Sequence, residues 1–184
     1  MKGNDMSKES IHKLHVYWGD GKGKTTAAMG LALRALGHGQ KVLIAQFMKN
    51  GNSGELKAFK SLSGAIVITA PPMNGFTFQM GHEELRLTRE RQNAFAREAR
   101  RIIAEERPRT ILLDELAVAL STGMVEEPAA RALIEESLLH GETAVTGYSA
   151  PDWLLDMADY ESQIIMRRHP YVTEGLPARE GVEW

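Results

Sequence analysis

The chain has 184 residues, 43% of them hydrophobic and 25% charged, which describes one globular domain with a sizeable apolar interior and excludes global disorder. Lys plus Arg number 22 against 24 Asp plus Glu, a formal charge of -2, so no overall basic field draws in nucleic acid or an anionic membrane. Cysteine is absent, which removes disulfide scaffolds, Cys-ligated zinc, iron-sulfur clusters and thiol catalysis, and fits a reducing compartment.

Residues 1–13 are polar and predict a flexible lead-in to a single domain at 14–184. That start lacks the apolar stretch of a secretory signal, and no run approaches the roughly 18 apolar residues of a membrane span, so a cytoplasmic protein is expected. Short apolar runs recur from Leu14 to Trp18, Lys41 to Phe47, Ala65 to Thr69, Thr110 to Asp114, Thr143 to Thr146 and Ser162 to Met166. Most do not alternate, as expected of strands buried on both faces of a parallel sheet. An α/β domain with a mostly parallel sheet of about six strands and helices on both faces follows.

Between these runs lie helical patterns. One extends from Glu83 to Arg107 and is ended by Pro108; its interspersed Arg and Glu describe a solvated face with i,i+4 pairs rather than a nucleic-acid surface. A second runs from Glu126 to His140, with Pro128 in its first turn and Gly141 past its end. Residues 49–54 and 71–82 resist regular structure and follow the second and third strands, where parallel sheets place their ligand-lining loops.

The first strand runs into Gly19-Asp20-Gly21-Lys22-Gly23-Lys24-Thr25-Thr26 and then into a helix-forming stretch. Strand, Gly-rich turn and helix make a phosphate cradle: backbone N–H groups converge on one anion at a helix N-terminus. Lys24 would bridge phosphate oxygens and the Thr25 hydroxyl would ligate Mg2+. This makes the domain P-loop NTPase-like (RecA-like). The loop is one residue short of the usual G-x-x-x-x-G-K-[ST] spacing, because Trp18 stands where the first glycine belongs. Triphosphate binding is therefore better supported than hydrolysis or transfer of a terminal phosphate. The fourth strand ends in Asp114 and Glu115, where a P-loop protein holds its metal; either acid could instead cap the next helix. The six histidines show no metal-binding spacing, and His12 and His15 read as surface residues.

With these features in place the chain resembles the ATP:corrinoid adenosyltransferases of the cob(I)alamin and cob(I)yrinic acid a,c-diamide type, from Val16 to Trp184. The resemblance rests on GDGKGKTTAAMGLALRALGHGQKV with its shortened loop, QFMK after the second strand, GFTF at 75–78, LLDEL at 112–116, VTG followed by LLDMAD, and the tail RRHPYVTEGLPAREGVEW. It implies attack by a reduced Co(I) corrinoid on the 5' carbon of ATP, with release of tripolyphosphate, in adenosylcobalamin synthesis or salvage. It also implies ATP bound in the reverse of the usual sense, a homodimer, and a flavoprotein as a possible source of reducing equivalents. By the same resemblance Gly19, Asp20, Gly21, Lys22, Gly23, Lys24, Thr25 and Thr26 hold triphosphate, Thr25 and Glu115 hold Mg2+ with Asp114 nearby, and Lys24, Thr25 and Glu115 serve catalysis. Phe76 and Phe78 match two aromatics placed under the corrin, although by composition alone two such Phe are core or lid packing.

The sequence also departs from the family. Asp20 stands where many members have Asn, Pro177 where the tail often has Lys, and Tyr148 where an Arg commonly follows VTG; Arg168 or Arg179 would have to replace that cation. Little of the corrinoid-capping N-terminal extension seen in some members is present. A P-loop kinase and a nucleotide-dependent regulatory module, with 71–82 as its partner loop, are the competing readings.

Overall fold

The computed structural model describes residues 12–73, 75 and 80–183. Phe76 and Phe78 lie outside the described residues. Six strands form one sheet: β1 Leu14–Trp18, β2 Val42–Gln46, β3 Ala65–Thr69, β4 Thr110–Asp114, β5 Glu142–Gly147 and β6 Tyr160–Gln163. Their spatial order is β3-β2-β4-β5-β1-β6, and every pairing is parallel, so the sheet is wholly rather than mostly parallel. β5 separates the strand that feeds the phosphate loop from the strand that ends in Asp114.

Helices cover both faces, as expected of strands with continuous apolar runs. On one side α1 (Lys24–Gly37) and α2 (Gly54–Lys60) bring Ala28, Met29, Ala32, Leu56 and Phe59 onto Val42, Ile44, Leu112 and Ala144. On the other, α3 (His82–Glu106), α4 (Leu116–Ser121), α5 (Glu127–His140) and α6 (Asp152–Met157) pack onto Leu14, Val16, Leu43, Ile111, Leu113 and Val145. A short α7 spans Pro170–Glu174. β2 and β4 are buried at every position, and no helix among the described residues is long and apolar enough to cross a membrane.

The long α3 stops where Pro108 dictates, with Arg107 in the left-handed region at φ 46°. Its exposed face carries the expected ion pairs: Arg86 with Glu83 and Glu90, Arg101 with Glu105, and Arg100 with Glu136 of α5. Three expectations shift. β6 begins two residues earlier than the apolar run suggests, because the edge strand itself is polar and exposed and Ile164 leaves the sheet to meet the phosphate loop. His15 is partly buried rather than freely exposed: it stacks on Tyr160 at 4.5 Å and bonds Glu142 at 2.7 Å. At the start of the described chain Lys13 pairs with Asp159 and His12 bonds the Leu138 carbonyl, so residues 12 and 13 are held against the domain.

Gly147, at the end of β5, is pressed against the start of α4. A Cβ there would stand 2.6 Å from the Ala117 Cβ and 2.8 Å from the Val118 nitrogen, both on a buried helix that cannot retreat. Gly147→Ala should therefore cost about 1–3 kcal/mol of stability by overpacking, read as a lower urea midpoint with an unchanged slope.

Candidate active site

All the sequence-selected polar residues that are described gather at the carboxyl edge of the sheet. The register pairs Gln46 of β2 with Asp114 of β4, and β5 ends beside them with Thr146. A fully buried carboxylate is costly unless every acceptor position is filled. Asp114 meets that condition with four donors. Its Oδ1 accepts from Thr25 Oγ1 at 2.9 Å and Thr146 Oγ1 at 2.7 Å; its Oδ2 accepts from Gln46 Nε2 at 2.9 Å and Lys49 Nζ at 3.0 Å. Burial pushes this carboxyl up, but the Lys49 ammonium and the hydrogen bonds from Thr146, Gln46 and Lys49 outweigh it, so it ionises below the ordinary Asp range.

Glu115 is disposed differently. Its backbone turns into the left-handed region at φ 61°, which a non-glycine residue adopts only under constraint, and its N–H donates to Thr146 Oγ1 at 2.9 Å. The side chain leaves the strand line, reaches Lys49 Nζ at 3.0 Å and faces a cleft of about 380 Å³. Neither acid caps α4 through its side chain, so that alternative falls.

The same cleft is lined by Lys22, Lys24, Thr25 and Thr26 of the phosphate loop and by residues 50–53, one of the two irregular loops. The other irregular loop, through Pro71, Pro72 and Met73, borders a separate cavity of about 340 Å³ against the first turns of α3. Lys24 Nζ donates to the Gly21 carbonyl at 2.7 Å. Burial lowers its ionisation, and the Glu115 and Asp20 carboxylates offset this only in part. Gly23 precedes α1 at φ 118° with no side-chain cap, which leaves the first-turn N–H groups without a side-chain acceptor.

The front half of the loop is committed elsewhere. Gly19 N–H donates to the Tyr148 carbonyl at 3.1 Å and Gly21 N–H to the Ile164 carbonyl at 2.8 Å. A Cβ on either glycine would lie within 2.8 Å of that Ile164 oxygen, so these glycines permit a close backbone approach. Asp20 accepts from the Met166 N–H at 3.0 Å. Of the two candidate replacements for the family arginine, Arg179 is paired with Glu183, whose carboxyl it helps pull down to about 2. Glu183 and Val182 line the cleft and hold Lys22, whose Nζ is 2.6 Å from the Val182 carbonyl and 3.3 Å from Glu183. Tyr148 meets the loop through its carbonyl, its side chain being exposed.

Gln46, Lys49 and Thr146 were not among the sequence-selected site residues, although QFMK and VTG contain them. Only the packing of separate strands shows that they surround one carboxylate. The oxygen set of Thr25, Asp114 and Glu115 suits a hard cation such as Mg2+. Among the described residues no group of three or more His, Asp or Glu could hold a metal by itself. That is compatible with an ion held by few carboxylates and by substrate phosphate oxygens.

A glycine-rich turn into a helix, with an acid pair at the end of the parallel strand next but one in the sheet, is the architecture of P-loop proteins. Residues 11–184 match the model of the family described as ATP:corrinoid adenosyltransferase BtuR/CobO/CobP, and the chain belongs to that family. It is 31% identical over 177 residues to a corrinoid adenosyltransferase of Pseudomonas aeruginosa, covering 93% of this chain and 83% of that one. It is 32% identical over 176 residues to the corrinoid adenosyltransferase of Escherichia coli K12, covering 92% and 84%. Among solved structures, a DNA replication initiation factor superposes with a TM-score of 0.43 at 14% identity over 84% of this chain and 40% of that one.

The Asp114 network has a measurable consequence. Because its carboxyl ionises lower in the folded than in the unfolded chain, its stabilisation is complete above the unfolded value near pH 4 and is lost as pH falls below it. Asp114→Asn should lose about 3 kcal/mol at pH 7 and flatten the acid limb of a stability-pH curve measured by urea unfolding.

Proposed function

We propose that this corrinoid adenosyltransferase transfers the 5'-deoxyadenosyl group of ATP to the cobalt of a Co(I) corrinoid and releases tripolyphosphate. The reading is carried by one observation: Lys24, Thr25 and Glu115 face a single cleft whose lining holds no imidazole or thiol among the described residues. Such a cleft, with the ammonium groups of Lys22, Lys24 and Lys49 and the hydroxyls of Thr25 and Thr26 in its wall, suits binding and polarising a polyphosphate. Co(I) is itself the nucleophile, so the protein need only orient the 5' carbon and stabilise charge on the departing triphosphate. The cobalt-carbon bond forms as the bond from the 5' carbon to the triphosphate oxygen breaks, and that oxygen keeps the bonding pair.

Each residue then has a task. The first-turn amides of α1, with Lys22 and Lys24, take the phosphate oxygens. Glu115, Thr25 and the buried Asp114 behind them would hold Mg2+, Glu115 directly because it faces the cleft and Asp114 through Thr25. Bound there, the ion supplies charge neutralisation of the triphosphate. Gly19, Asp20 and Gly21 support the loop against residues 164–166, which fits a shortened cradle. Phe76 and Phe78 belong under the corrin in this reading, on the strength of the GFTF motif. A homodimer, a flavoprotein reductant and a cytoplasmic setting complete it, as the family resemblance implies.

An anaerobic assay with Mg-ATP and chemically reduced Co(I)alamin tests the proposal. A light-sensitive alkylcobalt product with stoichiometric tripolyphosphate is expected; ADP formed with no change in the corrinoid spectrum would overturn it in favour of a kinase or switch. Lys24→Ala should lower kcat/KM about 100-fold or more while leaving thermal unfolding close to wild type. Asp20→Asn keeps an oxygen for the Met166 N–H and removes an anion beside the phosphates. It should therefore tighten ATP binding severalfold, checked by calorimetry, with stability within about 0.5 kcal/mol.

A further inference from the structure

Lys49 is assigned nothing by the phosphate loop or by the acid pair, yet its ammonium stands at their centre. Its Nζ is 3.0 Å from Asp114 Oδ2, 3.0 Å from Glu115 Oε1 and 3.5 Å from Thr25 Oγ1. Thr25 and Glu115 are the residues that would hold the divalent cation of the proposed function, with Asp114 behind them. A magnesium ion sits about 2.0–2.1 Å from its ligands, so an ion bound to the same set would lie within a few ångströms of the ammonium. Like charges that close in a half-buried site repel strongly, and one of the two must leave.

The surroundings decide which part moves. Asp114 is fully buried, and Thr146, Thr25 and Gln46 fix its remaining acceptor positions, so the carboxylate cannot turn away. Lys49 is the last residue of a short run out of β2. It follows Met48, held at φ 53°, and its long side chain is 35% exposed beside the cleft wall formed by residues 50–53. Its long side chain is the part free to swing into the cleft, once an entering cation takes over the charge of the two carboxylates.

We infer that Lys49 is the displaceable counter-ion of the metal carboxylates: its ammonium compensates Asp114 and Glu115 until a metal ion enters, and then crosses to the triphosphate. The inference rests on the reading of Thr25 and Glu115 as a metal site. It makes metal and nucleotide binding mutually dependent, because triphosphate offers the displaced ammonium a new anionic partner and an ion arriving alone does not. Lys49 is thus a positioning residue that couples the two ligands and adds a third lysine to Lys22 and Lys24 where the leaving group gains charge.

The test is titration of Mn2+ into the protein without nucleotide, following the free-ion EPR signal. Wild type should bind Mn2+ weakly, and Lys49→Met should bind it roughly tenfold tighter or more, because the competing charge is gone. Adding Glu115→Gln to that variant should reverse the gain. Lys49→Gln, which keeps a donor but no charge, serves as the second variant, with thermal unfolding to show that each protein is folded. Equal or weaker Mn2+ binding in both Lys49 variants overturns the inference, as does a gain that Glu115→Gln leaves intact. The metal reading has its own readout: Glu115→Gln in the wild-type background should raise the Mg2+ concentration needed for turnover. If it does while the Lys49 variants bind no tighter, displacement alone is wrong; if it does not, both readings fall.

Discussion

A buried carboxylate at the end of a central strand is the constraint on which this structure turns. Asp114 sits at the carboxyl end of β4, without contact to solvent, and its charge must be compensated from within the protein. The four compensating groups come from four places in the chain: Thr25 at the start of α1, Gln46 at the end of β2, Lys49 just after it, and Thr146 near the end of β5. Hydrogen bonds to a charged group are each worth about 1.5–3 kcal/mol, which is comparable with the several kcal/mol lost on dehydrating the ion. The net stabilisation is therefore modest. What the network secures is geometry, since the phosphate-loop helix, the Lys49 loop and β5 cannot shift without exposing an unpaired charge.

That geometry divides the labour between two neighbouring acids. Asp114 has no acceptor position to spare and acts through the side chains it holds. Glu115, rotated out of the strand by a left-handed backbone conformation, is the acid that reaches the cleft. The left-handed turn is sustained by the hydrogen bond from its own N–H to Thr146 and by the burial of Leu116 and Ala117 immediately after it. Thr146 therefore supports both acids at once, with its hydroxyl given to Asp114 and its oxygen receiving the Glu115 N–H.

The short phosphate loop is anchored by the last quarter of the chain. Tyr148 and Ile164 supply carbonyls to Gly19 and Gly21, Met166 supplies an N–H to Asp20, and Val182 with Glu183 engages Lys22. The loop thus has a supported front half and an open rear half from Lys22 to Thr26, which forms the wall of the cleft. The tail that closes the family resemblance folds back over the cleft beside the glycine-rich loop, and the ion pair of Arg179 with Glu183 braces its final turn.

Local chemistry was written in the sequence wherever it repeats or concentrates. The apolar runs gave the strands because both faces of a parallel sheet are buried; Pro108 and Gly141 marked helix ends through backbone sterics; and the glycines from Gly19 to Gly23 marked the tight turn from β1 into α1. The adjacent Asp114 and Glu115 marked the strand end that opens on the cleft, and the assembled motifs named the family. Convergence was decided only by tertiary structure. Strand order placed β5 beside β4 and brought Thr146 to Asp114, and a lysine 65 residues from that acid in sequence became its ion-pair partner. Gly19 and Gly21 read as phosphate-binding in the sequence, and in the fold they also clear space for Ile164. Burial, charge compensation and close backbone approach depend on groups distant in the chain meeting at one point, and no local pattern of residues encodes where that point will be.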